Sequence, residues 1–509
     1  MSATARTRAG HPSTTRPEAA AGTGGALALL DPRAPYLVPA LLLIACRMFM
    51  ASQVAFLSED AFITLRYAWN WVHGAGPVYN AGEHVMGFTS APWMAWLALG
   101  LRLGQDPTAW ARFSLLAADL VTLLAFASLL QRHASRASAW CFALFFALWP
   151  YYSGLAATGL ETGVLVMGIA LTAWLIDRRA PAAGVALGML ALVRPEGMVA
   201  ALVIALWTSW RERASAAAIL IAGAIALSAY YGSPIPQSVL AKQIVYGTPG
   251  PLHAKQWWDW AFPFPLSNQL SETSEGSNFF LLAVLVTPAA LAGAHALWQG
   301  KRSLLTAAAL AACAIWLAEI AAGTSYFFWY FAVPLTAWIL LASVGLPRIV
   351  RGRWIYAGAL LAVLGHWTFE GNLYRGRAAA EGQSFGGVAQ AIGERAKPGQ
   401  SIFLEPIGTI GYACNTLHIL DEVGLVSPVV SQRRAKGAGW YADMLDTQKP
   451  TWLVVRAGFL RNGDAFVGSS APFRNDAERA RMRTDYQLVT QMSETSSDQT
   501  LEILYRLVP

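Results

Sequence analysis

Charged residues are scarce in this chain of 509 residues: Asp, Glu, Lys and Arg together make up 13% of it, whereas hydrophobic residues make up 55%. A soluble globular chain carries about 25% charged residues, so an ordinary soluble domain is excluded. The apolar residues come in blocks of roughly 15 to 24 separated by short polar joints, the length of helix that crosses a hydrocarbon core of about 30 Å. The sequence therefore predicts an α-helical polytopic membrane protein.

Cysteine and the common phosphate and metal motifs are also scarce or missing. The chain has four cysteines, Cys46, Cys141, Cys313 and Cys414. Three lie inside apolar blocks and none has metal-like spacing, so neither a disulfide framework nor a zinc site is expected. A Walker-type phosphate loop and a His-Glu-x-x-His motif are absent. The net charge of +7 does not indicate nucleic acid, because Lys and Arg gather in the joints between apolar blocks.

Eleven apolar blocks are predicted to span the membrane. They cover residues 35–57, 113–131, 138–152, 160–176, 180–193, 197–210, 214–231, 278–298, 303–322, 326–346 and 354–370. With a cytoplasmic N-terminus, the positive-inside rule is satisfied, because arginine pairs such as Arg178 and Arg179 fall in the inner joints. This topology requires the short block over 91–104 to be an interfacial or re-entrant helix.

The topology divides the chain into three parts. Residues 1–34 are predicted to be a disordered cytoplasmic tail, and residues 35–370 a membrane domain with outer loops over 58–112 and 232–277. Residues 371–509 are predicted to form a small extracytoplasmic α/β domain, with an amphipathic helix over 384–396. Its strand-like runs are Ser401–Glu405, Thr451–Arg456, Tyr486–Gln491 and Leu501–Leu507.

The acidic pair Glu59 and Asp60 directly follows the first predicted span. A carboxylate near an apolar phase has a raised pKa and can act as a general base. The alternative is structural: Ser58, Glu59 or Asp60 would cap a helix that begins near Ala61. The residues alone leave both interpretations open.

Three further charged groups lie at the outer ends of predicted spans. Glu161 lies at the mouth of the fourth, and Arg194 and Glu196 share a tight joint between the fifth and sixth. Charges in such a joint are costly unless they face a protein cavity. Arg194 could bind a lipid phosphate or simply pair with Glu196. Lys242 is a second candidate phosphate ligand, although a single basic residue near a membrane often only snorkels.

Several of these motifs, taken in order, resemble the GT-C superfamily of glycosyltransferases, which use polyprenyl-phosphate sugars, and within it the AftB-type arabinofuranosyltransferases. The matching segments are Asp60-Ala61-Phe62-Ile63, Arg66-Tyr67-Ala68, residues 74–83, Gly87-Phe88-Thr89-Ser90, residues 159–162, 194–197, 405–412 and 421–428. One departure is that Glu59 replaces the first acid of the family's Asp-Asp. The resemblance covers nearly the whole chain past residue 35.

The resemblance implies a GT-C-like membrane glycosyltransferase that inverts the anomeric carbon. Its catalytic base would be Asp60, with Glu59 in support, and Arg194 and Lys242 would bind the donor phosphate. The other substrate-binding residues would be Arg66, Tyr67, Tyr79, Asn80, Glu83, Glu161, Glu196 and Gln243. A divalent metal ion near the acids is left open, as no ligand cage is visible.

The implied donor is a polyprenyl-phosphate sugar, with arabinofuranose favoured and mannose or another pentose or hexose as the alternative. The acceptor would be a glycan, glycolipid or glycoprotein outside the cytoplasmic membrane of a bacterium. A transporter or lipid flippase is the alternative from another class, but its polar groups would lie at the bilayer midplane. A receptor-like or structural role would leave the acidic loop unexplained.

Overall fold

The computed structural model describes residues 36–246, 275–300, 303–324, 327–350, 367, 375–376, 379–458, 470–494 and 499–507. The predicted tail over 1–34 lies outside these residues. So do most of the predicted span over 354–370 and the later half of the predicted loop over 232–277.

Helices are the regular secondary structure that the structure describes in the first 350 residues, joined by turns and irregular segments such as 73–90. The helices are α1 Leu37–Gln53, α2 Glu59–Val72, α3 Ala91–Arg102, α4 Pro107–His133, α5 Arg136–Leu148, α6 Pro150–Thr158, α7 Thr162–Asp177, α8 Ala183–Val193, α9 Gly197–Ala205, α10 Trp210–Tyr231, α11 Gln237–Tyr246, α12 Glu275–Gln299, α13 Leu304–Ala322 and α14 Ala332–Ile349. A short 3₁₀ turn over Phe328–Phe331 leads into α14.

Four helical segments in the described ranges are long and apolar enough to cross a membrane. They are Pro107–His133, Trp210–Tyr231, Leu304–Ala322 and Phe328–Ile349. The bent pair α5 and α6 could be a fifth span, and α1, α7 and α8 are shorter apolar helices. The chain is therefore a multi-pass membrane protein, while the total of eleven spans stays a prediction. The short block over 91–104 is the 12-residue helix α3.

The bend between α5 and α6 has a clear chemical cause. The two helices meet at 53°, at Pro150, which has no N–H to donate to the carbonyl four residues earlier. That carbonyl, on Phe146, accepts a hydrogen bond from Nη2 of Arg47 at 3.1 Å, and the Ala147 carbonyl accepts one from Nη1 at 3.0 Å. Arg47 is buried and pairs with Asp119 at 2.7 Å. A buried ion pair thus supplies the hydrogen bonds that the proline removes.

The C-terminal region folds around a five-stranded mixed sheet of order β2-β1-β3-β5-β4. The strands are β1 Ser401–Leu404, β2 His418–Asp421, β3 Trp452–Arg456, β4 Tyr486–Glu494 and β5 Gln499–Arg506. β1 pairs in parallel with β2 and with β3, and β5 pairs antiparallel with β3 and β4. The helices are α15 over 379–393, α16 Ile407–Ala413, α17 Pro428–Arg434, α18 Trp440–Gln448 and α19 Asp476–Asp485.

One apolar cluster is shared by the sheet and the membrane part. Ile402 and Val454 from one face of the sheet are buried with Tyr67 of α2, Tyr79 of the segment after α2 and Val245 of α11. The other face packs on α18 through Phe403, Trp440 and Tyr441. The sheet is therefore held against the segments that contain the acidic pair and Lys242.

Candidate active site

The acidic pair lies in the first turn of α2. Ser58 occupies the N-cap position with extended backbone, and its side chain makes no capping hydrogen bond. Its backbone N–H donates to the Thr158 carbonyl at 2.9 Å, which fixes the start of α2 against the end of α6. Glu59 and Asp60 are the first two residues of the helix, where the positive end of the helix dipole favours carboxylates. The helix begins two residues earlier than predicted, so neither acid is its cap.

Glu59 is held by the C-terminal region. Its Oε1 accepts a hydrogen bond from the backbone N–H of Gly408, and its own N–H lies 3.4 Å from a carboxylate oxygen of Glu381. Burial raises the pKa of Glu59 well above its ordinary value, and the neighbouring charges of Asp60 and Glu405 raise it further. The Gly408 hydrogen bond opposes this shift.

Among the described residues, Lys242 is the basic side chain whose charge acts on Asp60. Burial raises that pKa, the positive charge of Lys242 lowers it, and the charges of Glu381 and Glu161 raise it, with a raised pKa as the net result. A carboxylate with this pKa is well suited to accept a proton. The structure thus brings together Asp60 and Lys242, which are far apart in sequence.

Lys242 lies on α11 with its ammonium 5.2 Å from the ring centre of Phe327. Within the described ranges, no hydrogen-bond or ion-pair partner of this ammonium is seen. Burial lowers its pKa, but the charges of Tyr330, Asp60 and Glu161 outweigh burial and raise it, so the side chain is a cation. A half-buried cation without a partner can receive an anion.

Arg194 has carboxylate partners on both sides. Its guanidinium pairs with Glu161 at 2.7 Å and with Glu196 at 2.5 Å, and it is 5% exposed. Oε1 of Glu161 also accepts a hydrogen bond from the Thr89 hydroxyl at 2.8 Å, which ties the first loop to this network. The predicted pairing of Arg194 with Glu196 is confirmed, and phosphate binding by Arg194 stays a prediction.

Three predicted substrate ligands connect the first loop to the C-terminal region: Arg66, Asn80 and Tyr79. Arg66 donates hydrogen bonds to the carbonyls of Tyr79 and Leu417, both at 2.8 Å, and to that of Gly411. Asn80 exchanges two hydrogen bonds with the backbone of Ile419, at 2.9 and 3.0 Å. These buried polar groups already have partners, so the contacts explain their presence without a substrate.

The hydroxyls of Tyr67 and Tyr79 also have protein partners. The Tyr79 hydroxyl donates to the Ile407 carbonyl at 2.5 Å, and that of Tyr67 donates to the Val85 carbonyl at 2.7 Å. Glu83 is partly exposed, lies 3.6 Å from His418 and accepts a hydrogen bond from Asn80 at 3.0 Å. Gln243 is exposed on α11. For all of these residues, substrate binding stays a prediction.

Three carboxylates near the site were not predicted as site residues. Glu381 and Glu405 face Glu59 from the C-terminal region; Glu405 begins the matching segment 405–412, which was the available signal for it. Glu319 lies in an apolar helix at 6% exposure, and its Oε2 has no hydrogen-bond partner among the described residues. A lone acid in an apolar span was the available signal for Glu319.

A divalent metal ion near the acidic pair was left open by the sequence. Among them, no group of three or more His, Cys, Asp or Glu side chains is arranged to hold a metal ion. Glu59, Asp60 and Glu381 are therefore neighbouring acids that do not form a ligand cage, and binding of a divalent ion stays a prediction.

The fold of this chain is the GT-C fold. The structure of ArnT from Cupriavidus metallidurans bound to undecaprenyl phosphate superposes with a TM-score of 0.58 at 13% identity, covering 95% of this chain and 98% of that one. An Archaeoglobus fulgidus oligosaccharyltransferase tethered to an acceptor peptide superposes with a TM-score of 0.52 at 12% identity, covering 86% of this chain and 70% of that one. The chain therefore has the fold of the GT-C glycosyltransferases.

Sequence similarity points to a narrower group. The chain is 30% identical over 226 residues to the terminal β-(1→2)-arabinofuranosyltransferase of Mycobacterium tuberculosis, which covers 37% of this chain. The match spans 35% of that enzyme, about a third of its length. Residues 372–504 match a domain family of unknown function, DUF8728. The predicted resemblance to GT-C enzymes of the AftB type is confirmed.

Proposed function

We propose that this protein transfers a sugar from a polyprenyl-phosphate donor to an acceptor hydroxyl, with Asp60 as the general base. The observation that carries the proposal is that the Asp60 carboxyl, whose pKa is raised, lies near the cation Lys242, which has no ion-pair partner among the described residues. One group can take a proton while the other receives a phosphate. The undecaprenyl phosphate bound by ArnT, which shares the fold, supports a donor of this kind.

The proposed reaction is a single displacement. Asp60 takes the proton of the acceptor hydroxyl as its oxygen forms a bond to the anomeric carbon, and the bond from that carbon to the phosphate oxygen breaks. The pair of electrons leaves with the polyprenyl phosphate, whose negative charge the Lys242 ammonium stabilises. Because attack and departure occur on opposite faces, the anomeric configuration inverts.

Glu59 and Arg194 have supporting parts in this proposal. Glu59 is bonded to Gly408, so it is less free than Asp60 to move toward a substrate, and its hydrogen bond to Asp60 lowers the pKa of that acid. Arg194 is surrounded by Glu161 and Glu196, and would reach a donor phosphate only by exchanging one of them. We therefore assign the first contact with phosphate to Lys242 and the second to Arg194.

Arabinofuranose is the favoured sugar, because the relative from Mycobacterium tuberculosis is named for its transfer. Mannose or another pentose or hexose is the alternative within the same fold. The acceptor would be a glycan, glycolipid or glycoprotein. The site would open to the outer side of a bacterial cytoplasmic membrane, with the N-terminus in the cytoplasm and the C-terminal region outside.

The test is transfer from synthetic polyprenyl-phosphate sugars by the purified protein. Asp60→Asn removes the base and should lower kcat by about 10² to 10⁴-fold, the usual contribution of a general base. Asp106→Asn is the matched control, since Asp106 is an exposed helix cap and Asn caps equally well. Wild-type turnover by Asp60→Asn would remove Asp60 as the base, and sugar uptake into vesicles without transfer would favour a transporter.

A further inference from the structure

Ser238 carries a buried hydroxyl that has no hydrogen-bond partner among the described residues. It is the second residue of α11 and is 3% exposed. Its Oγ forms no hydrogen bond with any residue that the structure describes. A buried hydroxyl without a hydrogen bond is costly, and most buried side-chain polar atoms in native proteins have a partner. The hydroxyl of Ser238 therefore points to a ligand that accepts its hydrogen bond.

Ser238 shares one face of α11 with Lys242. Residues four apart on a helix are neighbours on its surface, with Cβ atoms about 5 to 6 Å apart. A long side chain on a helix usually lies over the preceding turn, which for Lys242 is the turn that contains Ser238. The Lys242 ammonium has no ion-pair partner among the described residues. One face of α11 thus carries two hydrogen-bond donors for which the described part of the chain supplies no acceptor.

The start of α11 is held from two sides. The Gln237 N–H donates to the Met86 carbonyl, in the first loop, at 2.8 Å. The Gln237 side-chain amide donates to the Gly424 carbonyl at 3.1 Å and to the Ser431 hydroxyl at 3.0 Å, both in the C-terminal region. Ser238 is the next residue, so its backbone is fixed before a ligand binds. A donor that is already in place loses little conformational freedom on binding, which favours affinity.

The charges around Lys242 explain why a second donor is useful. The groups whose charges act on its ammonium are Tyr330, Asp60, Arg194 and Glu161. The two acids among them compete with a bound anion for Lys242, whereas the neutral hydroxyl of Ser238 does not attract them in the same way. Ser238 also lies in the first turn of α11, where the positive end of the helix dipole favours an anion.

A phosphate group matches both donors. Serine O–H and lysine N–H groups donate hydrogen bonds, and hydrogen bonds to a charged oxygen are the strong ones. A phosphate within a lipid-linked sugar has two terminal oxygens, so one can accept from Ser238 while the other accepts from Lys242. We propose that Ser238 and Lys242 together bind the phosphate group of the polyprenyl donor. This inference rests on the proposed function, to which it adds Ser238 as a second phosphate ligand on α11.

The test measures binding of farnesyl phosphate, a short analogue of polyprenyl phosphate, to the full-length protein in detergent by titration calorimetry. Ser238→Ala should weaken this binding about tenfold, the effect of losing one hydrogen bond to a charged group. Because Ser238 loses no described protein partner, the variant should keep the thermal midpoint of wild type. Thr172→Val is the matched control, since Thr172 is also a buried hydroxyl without a described partner and lies toward the opposite end of α7 from Glu161.

Two further probes separate the phosphate from the lipid tail. Farnesol, which has the tail without the phosphate, should bind wild type and Ser238→Ala equally. Inorganic phosphate, which has no tail, should compete with farnesyl phosphate only weakly.

The outcomes separate this inference from the proposed function. Equal binding of farnesyl phosphate by Ser238→Ala and wild type, or no binding by wild type, would overturn the role of Ser238 even if sugar transfer is observed. Weaker farnesol binding by Ser238→Ala would also overturn it, since Ser238 would then act on the tail or on the fold. Inorganic phosphate that competes as well as farnesyl phosphate would overturn the assignment to a lipid phosphate. If Ser238→Ala weakens farnesyl phosphate binding but no donor supports transfer, the phosphate site stands and the proposed reaction fails.

Discussion

Gly408 is the point where the C-terminal sheet meets the acidic pair, and replacing it by alanine tests that connection. A Cβ on residue 408 would overlap the Glu59 carbonyl oxygen and lie 2.8 Å from Cδ of the Glu59 side chain. Real Cβ atoms do not approach other atoms so closely, so α2 and α16 must separate. The hydrogen bond from the Gly408 N–H to Glu59 would then be lost.

The size of the effect follows from three contributions. Overpacking of a tight contact costs about 1 to 3 kcal/mol, and losing a hydrogen bond to a charged group costs about 1.5 to 3 kcal/mol. The better helix propensity of alanine offsets about 1 kcal/mol. We therefore expect Gly408→Ala to lower the free energy of unfolding by about 1.5 to 5 kcal/mol. Since the lost hydrogen bond lowers the pKa of Glu59, that pKa should also rise.

The assay is thermal unfolding in detergent followed by the fluorescence of the 21 tryptophans, together with the rate of sugar transfer. The control is Gly386→Ala in α15, where an added Cβ meets nothing within 4 Å and alanine should be neutral or slightly stabilising. Gly408→Ala should unfold at a lower temperature than the control and transfer sugar at least tenfold more slowly. Equal midpoints and equal rates for the two variants would refute the packing of Gly408 against Glu59.

Two further predictions concern the basic residues of the site. Arg194→Ala leaves Glu161 and Glu196 buried without their partner and should lower the free energy of unfolding by about 3 to 5 kcal/mol. Arg211→Ala, at an exposed position, is the control. An equal loss of stability in the two variants would contradict the buried pairing of Arg194. Lys242→Met removes the charge that lowers the pKa of Asp60, and the base must be ionised to act. As the pH is lowered, kcat/KM should therefore begin to fall at a higher pH in the variant than in wild type. If the two pH–rate profiles fall at the same acidic pH, the charge of Lys242 does not act on Asp60.

The helices were predictable because membrane spans require long apolar blocks, and ten of the eleven predicted spans coincide with described helices. The extra helix α6 was missed, since Pro150 breaks an apolar block whose composition does not change. In the sheet, four strands were predicted and β2 was not, because His418–Asp421 is only 4 residues long and polar at both ends.

The site was predictable in part, and the limit was distance along the chain. Glu59 and Asp60 stand out locally, but the Gly408 contact that holds Glu59 joins residues 349 positions apart. The contacts of Arg66 could not be predicted for the same reason, because its partner Leu417 lies 351 positions away in the sequence. The local sequence shows that a charged residue lies in an unusual, apolar setting. Only the fold shows whether that residue contacts another part of the protein or is available to a substrate.

The loops at the carboxyl edge of the sheet contact both the helix that bears Asp60 and the helix that bears Lys242. The loop after β1 bonds Glu59 through Gly408, and the loop after β2 accepts a hydrogen bond at Gly424 from Gln237 at 3.1 Å, at the start of the helix that bears Lys242. The first turn of α2, which bears Asp60, and the first turn of α11, which precedes Lys242, are therefore both bonded to loops at one edge of the sheet. This gives the C-terminal region a physical reason to be packed against the membrane part.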